Sequence, residues 1–133
     1  FSVSLGGGHR QYSEPLECEV EVIAVTDGIF RCTGPMFDGN LVDLGKIARL
    51  KIEKTGIEVV VNSNKCQNLD QEFFRNVGLE PKEHKIICVK SAVHFMADYQ
   101  SVTDQILFAV AKGANPCDLS DIPYTRLRDG LRY

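Results

Sequence analysis

The sequence predicts an α+β fold: a mixed, largely antiparallel sheet of about six strands carrying two or three helices, all within one domain spanning residues 1–133. Three observations predict it. Residues 16–22 alternate apolar and acidic side chains with a period of two, within an apparent strand over 16–25. Short apolar runs in the first half are separated by hairpin-type turns. A strand, helix, strand order over residues 86–111 suggests a right-handed parallel crossover in the second half.

Residues 1–5 alternate and read as a first strand, leading into Gly6-Gly7-Gly8-His9-Arg10. Three glycines let the backbone turn tightly and approach a ligand, or simply make a flexible turn. The spacing is not that of a nucleotide-binding loop. In the next strand Leu16, Cys18, Val20 and Val22 share one face and Glu17, Glu19 and Glu21 the other, as in a sheet with one wet side. The glutamates read as a solvated face, since no histidine joins them as a metal site would require. Thr26-Asp27-Gly28 is a turn signal, so residues 16–25 and 29–32 are expected to form a hairpin. Residues 33–40 form a loop whose Met36 and Phe37 would cover a cleft or fill an interface. The apolar runs at 47–52 and 57–61, joined by the turn 53–56, predict a second hairpin.

After the polar connector 62–68, Asp70 is expected to begin a short helix over 71–77, with Phe73, Phe74 and Val77 inward and Gly78 as its stop. Residues 86–89 form a continuous apolar run, expected to be a strand covered on both faces. Ser91 is expected to cap a helix carrying Phe95, Tyr99 and Val102. Residues 105–111 read as another buried strand, and 118–124 as one helical turn.

Composition excludes several classes of function. A net charge of −3 and the lack of a basic block argue against nucleic-acid and acidic-membrane partners. No apolar run approaches the length needed to span a bilayer. The five cysteines are odd in number, widely spaced and without a CxxC pair, which points to a reduced, cytoplasmic protein. The chain opens on Phe1 inside an apparent strand, as expected of a fragment or a processed chain.

The candidate site lies where residues 86–89 give way to the next helix. Lys90, Ser91 and His94 meet there, where free N–H groups and the positive end of a helix dipole would favour an anion. The competing reading leaves Lys90 solvated, Ser91 as a cap and His94 as a packed polar residue beside Phe95. A Ser-His hydrolase is disfavoured because no GxSxG turn is present. His9, His84 and His94 lie in unlike elements without an HExxH pair, so no metal ligands are predicted in this chain.

Several segments, in order, resemble the C-terminal domain of the MlrC family, the microcystin-degradation-type metallopeptidases. They are Leu5-Gly6-Gly7, Thr26-Asp27-Gly28-Ile29-Phe30, Gly34-Pro35-Met36, Val42-Asp43-Leu44-Gly45, Leu69-Asp70-Gln71-Glu72-Phe73-Phe74-Arg75, Val89-Lys90-Ser91-Ala92-Val93-His94-Phe95 and the closing Asp118-Leu119 and Pro123-Tyr124 with Arg126-Leu127-Arg128. The resemblance implies hydrolysis of peptides at a zinc site whose ligands belong to a larger N-terminal domain of the same polypeptide, absent from this chain. The 133 residues would then be inactive alone and line one wall of an interdomain cleft. His94 would be the catalytic contribution, with Lys90, Ser91, Gly6 and Gly7 facing the peptide substrate. The alternative is a non-catalytic binding or assembly module, using Met36-Phe37 and the glycine-rich opening.

Overall fold

β2 (Leu16–Thr26) is the strand on which the sheet is built, and its alternating half is as wet on one side as the sequence predicts: Glu17, Glu19 and Glu21 are all exposed. The computed structural model of the chain describes residues 1–7, 13–111 and 118–131. β1 (Ser2–Leu5) pairs antiparallel with β2 from Ser2 opposite Glu19 to Leu5 opposite Leu16. On its other side β2 pairs antiparallel with β5 (Ile47–Ile52), from Val20 opposite Ile52 to Thr26 opposite Ile47. β6 (Glu58–Asn62) closes the sheet against β5, giving the order β1-β2-β5-β6. The hairpin expected over 47–61 is therefore formed.

A bulge in β2 between Val22 and Ala24 decides where the core lies. One extra residue moves every later side chain to the opposite face. Before it, Cys18 and Val20 pack with Val3, Leu50, Ile52 and Val59. After it, Ala24 packs with Cys32, Leu44, Ile47, Phe73 and Val60. Val59 and Val60 are neighbours on one strand and so point to opposite faces. The two apolar clusters thus lie on the two sides of the sheet.

The first expected hairpin is not formed. β3 (Ile29–Arg31) pairs with β4 (Leu41–Asp43) in a separate two-stranded ribbon, not with β2. Two constraints redirect the chain. One edge of β2 is already occupied by β5 up to Thr26. Gly28, at φ +73°, passes so close to the next segment that a Cβ there would lie 1.9 Å from the Gly45 carbonyl oxygen, and its own carbonyl accepts Leu44 N–H. Only glycine fits both the dihedral and the approach.

α1 (Glu72–Arg75) covers the second cluster, with Phe73 buried and edge-on to Phe30 at 5.3 Å between ring centroids. Gly78 ends this segment as expected, at φ +71°, with Leu79 N–H reaching back to the Phe74 carbonyl. A 3-10 turn, Pro81–Glu83, follows. Arg49 holds this region to the sheet through the Gly78 carbonyl (2.7 Å) and an ion pair with Glu58, whose carboxyl it keeps below the usual range by hydrogen bonding.

Three expectations fail in the second half. Residues 86–89 and 105–111 form no strand, and both outer strands, β1 and β6, leave them unpaired. An apolar run specifies burial, not the partner that would supply its ladder. Ser91 is not a helix cap: α2 (Met96–Tyr99) begins five residues later, with Phe95 at its N-cap position and no side-chain cap. The parallel crossover is accordingly not formed within this chain. The closing helical turn reduces to the 3-10 segment Leu119–Asp121. Strands of the sheet and ribbon with two short helices make the fold α+β, its described pairings all antiparallel.

Candidate functional site

Two carboxyl groups, the buried Asp70 and the half-buried Asp98, bring the second half of the chain against α1. Asp70 is fully buried and accepts N–H groups from Thr33 (3.1 Å), Gly34 (2.7 Å) and Glu72 (2.9 Å). Asp98, on α2, accepts the Gln71 N–H at 2.7 Å and its side-chain amide at 2.9 Å. Gly34 seats both: a Cβ there would meet the Asp98 carboxyl carbon at 2.8 Å and an Asp70 oxygen at 2.9 Å. The buried Tyr99 hydroxyl completes the lock, donating to Asn68 (3.0 Å) and to the Asp70 carbonyl (3.3 Å). Burial pushes the Tyr99 phenol pKa up, and burial followed by the Asp70 carboxylate raises the neighbouring Cys32 thiol to about 12.

This lock fixes the connector after β6 beside residues 90–94. Ser63 and Asn64 tie the connector's start to the Lys46 and Leu44 carbonyls. Gln67 then reaches across. Its amide donates to Ser91 Oγ at 2.9 Å, and its Oε1 lies 3.3 Å from His94 Nδ1. With Oε1 as the acceptor, Nδ1 carries the proton, so the neutral ring keeps its lone pair on Nε2. His94 is exposed. The arrangement orients an imidazole with a basic nitrogen free for proton transfer.

Beside this triad opens a cleft of about 140 Å³. Leu44, Ile47, Val60, Phe73 and Phe74 form its apolar lining, and Asn62, Asn68, Cys66 and Lys90 supply polar groups. An ammonium at an apolar cleft suits a ligand that joins an apolar group to a carboxylate. A second depression, over the outer face of β2 and β5, is lined by Glu21, Glu53, Lys51 and Lys54, whose opposite charges balance.

Gln67 brings Ser91 and His94 together, and Lys90 lines the neighbouring cleft; none of the three sits at a helix N-terminus. No helix dipole favours an anion at Lys90, Ser91 and His94, since α2 starts beyond all three residues. Ser91 and His94 share no direct hydrogen bond; each bonds Gln67 instead. Gly6 and Gly7 lie elsewhere. They follow Leu5, opposite Leu16, whereas Ile47 and Asn62 of the cleft sit beside Thr26 at the other end of β2, roughly 30 Å away along the strand. Gly7 packs on Pro15, where a Cβ would come within 2.7 Å. His9 and Arg10 fall outside the described residues. Sequence reasoning missed Gln67, Asp98 and Gln71; a polar connector gives no signal of which side chain will bridge.

Among the described residues no group of three or more His, Cys, Asp or Glu side chains is placed to hold a metal ion. The donor chemistry agrees. Asp70 and Asp98 already accept N–H groups, and His84 Nδ1 engages the Glu80 carbonyl at 3.0 Å. The described side chains do not fit a zinc centre. No helix among the described residues is long and apolar enough to cross a membrane.

Comparison with known proteins fits this architecture. No curated protein matches the chain. Among solved structures, a "putative metallopeptidase" from Mesorhizobium sp. BNC1 superposes with a TM-score of 0.81 at 20% identity, over 96% of this chain. This chain spans 25% of that protein's length. The family described as MlrC C-terminus matches residues 1–126, nearly the whole sequence. The chain belongs to the MlrC C-terminus family.

Proposed function

We propose that this domain forms one wall of an interdomain active cleft in a metallopeptidase-type hydrolase of peptides, and that it is inactive by itself. The observation that carries the reading is Gln67, which holds Ser91 and His94 together beside the Lys90 cleft. Family membership and the metallopeptidase description of the superposed structure support the reaction class. In this reading the rest of the polypeptide, an N-terminal domain, holds the metal, zinc by the resemblance, which would activate water for peptide hydrolysis.

The roles of this chain's own residues follow from their chemistry. Lys90 binds a carboxylate of the peptide. The apolar lining takes an adjacent side chain and excludes water from it. Gln67 fixes the His94 ring, and His94 Nε2 accepts or returns a proton at the substrate. Ser91 sets the Gln67 amide, because the hydroxyl accepts its N–H. Gly6 and Gly7, at the far end of β2, would contact only a long peptide. The free thiols of Cys18, Cys32, Cys66 and Cys88 support a reducing, cytoplasmic setting.

The test is His94→Ala in the intact source polypeptide. Turnover of a peptide substrate is expected to fall on the order of 100-fold, as for loss of a general acid or base. Wild-type turnover and affinity would remove His94 from the site. A second reading, a non-catalytic assembly module, draws on the exposed Met36 and Phe37 of the turn after β3. Stoichiometric zinc and peptide cleavage by the 133-residue chain alone would contradict both the assembly reading and the missing-domain reading.

A further inference from the structure

We infer that residues 86–88 and 106–110 are a docking surface that pairs, strand to strand, with the preceding domain of the same polypeptide. The inference rests on the interdomain reading above but concerns a different surface from the His94 triad. Two kinds of unmet demand coincide there. The side chains are apolar yet in water: Leu107 is 93% exposed, Ile86 86%, Val110 71% and Phe108 64%. The backbone of the same residues has no hydrogen-bond partner among the described residues, whereas α1, α2 and all six strands have theirs.

A solvated loop has no need of such a composition. Residues 106–110, Ile-Leu-Phe-Ala-Val, are strand formers without a charge, glycine or proline. An exposed apolar segment of such residues is open to pairing as a strand, which proteins blunt with lysine or proline unless a partner covers it. Such a partner would supply a ladder for the backbone and cover for alternate side chains at once. The position of the surface is fixed by the lock described above. Phe108 stacks edge-on against the buried Phe95 at 6.1 Å between centroids, just before α2.

The occupant follows from length. The structure that superposes on 96% of this chain is four times as long, since this chain accounts for 25% of it. The matched family is a C-terminal part. The additional length supplies a covering domain in every molecule, with no need for a second copy.

Hydrogen exchange on the intact source polypeptide, run on its monomeric fraction, tests the inference. Backbone amides of 106–110 are expected to exchange on the order of 100-fold or more slowly than the unprotected rate. Leu107→Asp, which puts a charge into the covered surface, is expected to abolish that protection while the amides of β5 stay protected. Unprotected exchange in the monomer overturns the inference. So does protection that appears only on dimerisation, which would assign the surface to a second copy. Normal turnover in His94→Ala with 106–110 protected would sink the active-site reading and leave this one standing.

Discussion

Asp70 does more for this molecule than any of the residues that first draw notice for their chemistry. Its two oxygens accept three backbone N–H groups, from the loop after β3 and from the start of α1. Asp70→Ala would leave those donors without their acceptor at a position where the Asp70 side chain is fully buried. The expected loss is about 3 kcal/mol of unfolding free energy, measured by urea titration. A loss below the error of that measurement would mean that water replaces the carboxylate. Cys32, beside it, gives a second test. Its thiol has a higher pKa in the folded state, about 12, than the ordinary value of 9.0. The folded state therefore favours the protonated thiol, and that contribution is complete below pH 9 and lost as pH rises from 9 through about 12. Cys32→Ala is expected to flatten the fall in stability across that range. An unchanged alkaline limb would assign the fall to other groups, among them Tyr99, whose pKa burial also raises.

At the scale of elements, α2 is too short to persist alone and is held by Asp98, Tyr99 and Phe95. Tyr99→Phe removes the hydroxyl that joins it to Asn68 and Asp70. We expect a cost of about 1–2 kcal/mol, with the connector's amides exchanging faster than in the wild type. Stability within error of wild type would show that aromatic packing alone holds α2. The same elements show what a sequence can and cannot specify. β2 was legible because its glutamates and valines alternate, and Gly78 because a helix stop needs a positive φ. Residues 86–89 and 105–111 carry equally clear strand composition, yet a ladder needs a partner and the described residues offer none. Gly28 was legible as a turn but not as the point where the chain changes sheets, which depends on the distant Gly45. Lys90, Ser91 and His94 were legible as neighbours in sequence. What joins Ser91 and His94 is Gln67, 24 and 27 residues away, and no local pattern announces such a contact.

The whole molecule has two halves with different demands. The sheet, the ribbon and α1 meet their own hydrogen bonds and bury their own apolar residues. Residues 86–110 are anchored to that frame by the Asp70 and Asp98 lock but present both a polar triad and an uncovered apolar surface. A wall that completes a cleft against another domain has this form. If the triad faces substrate, Gln67 is the residue whose loss reports it, because it is exterior to the folding lock. In the intact source polypeptide, kcat/KM for a peptide substrate should be compared between wild type and Gln67→Ala, alongside urea stability. A positioning role predicts a fall of roughly 10-fold, about 1.4 kcal/mol of transition-state stabilisation, with stability unchanged. Wild-type kcat/KM in a variant that folds normally would contradict it.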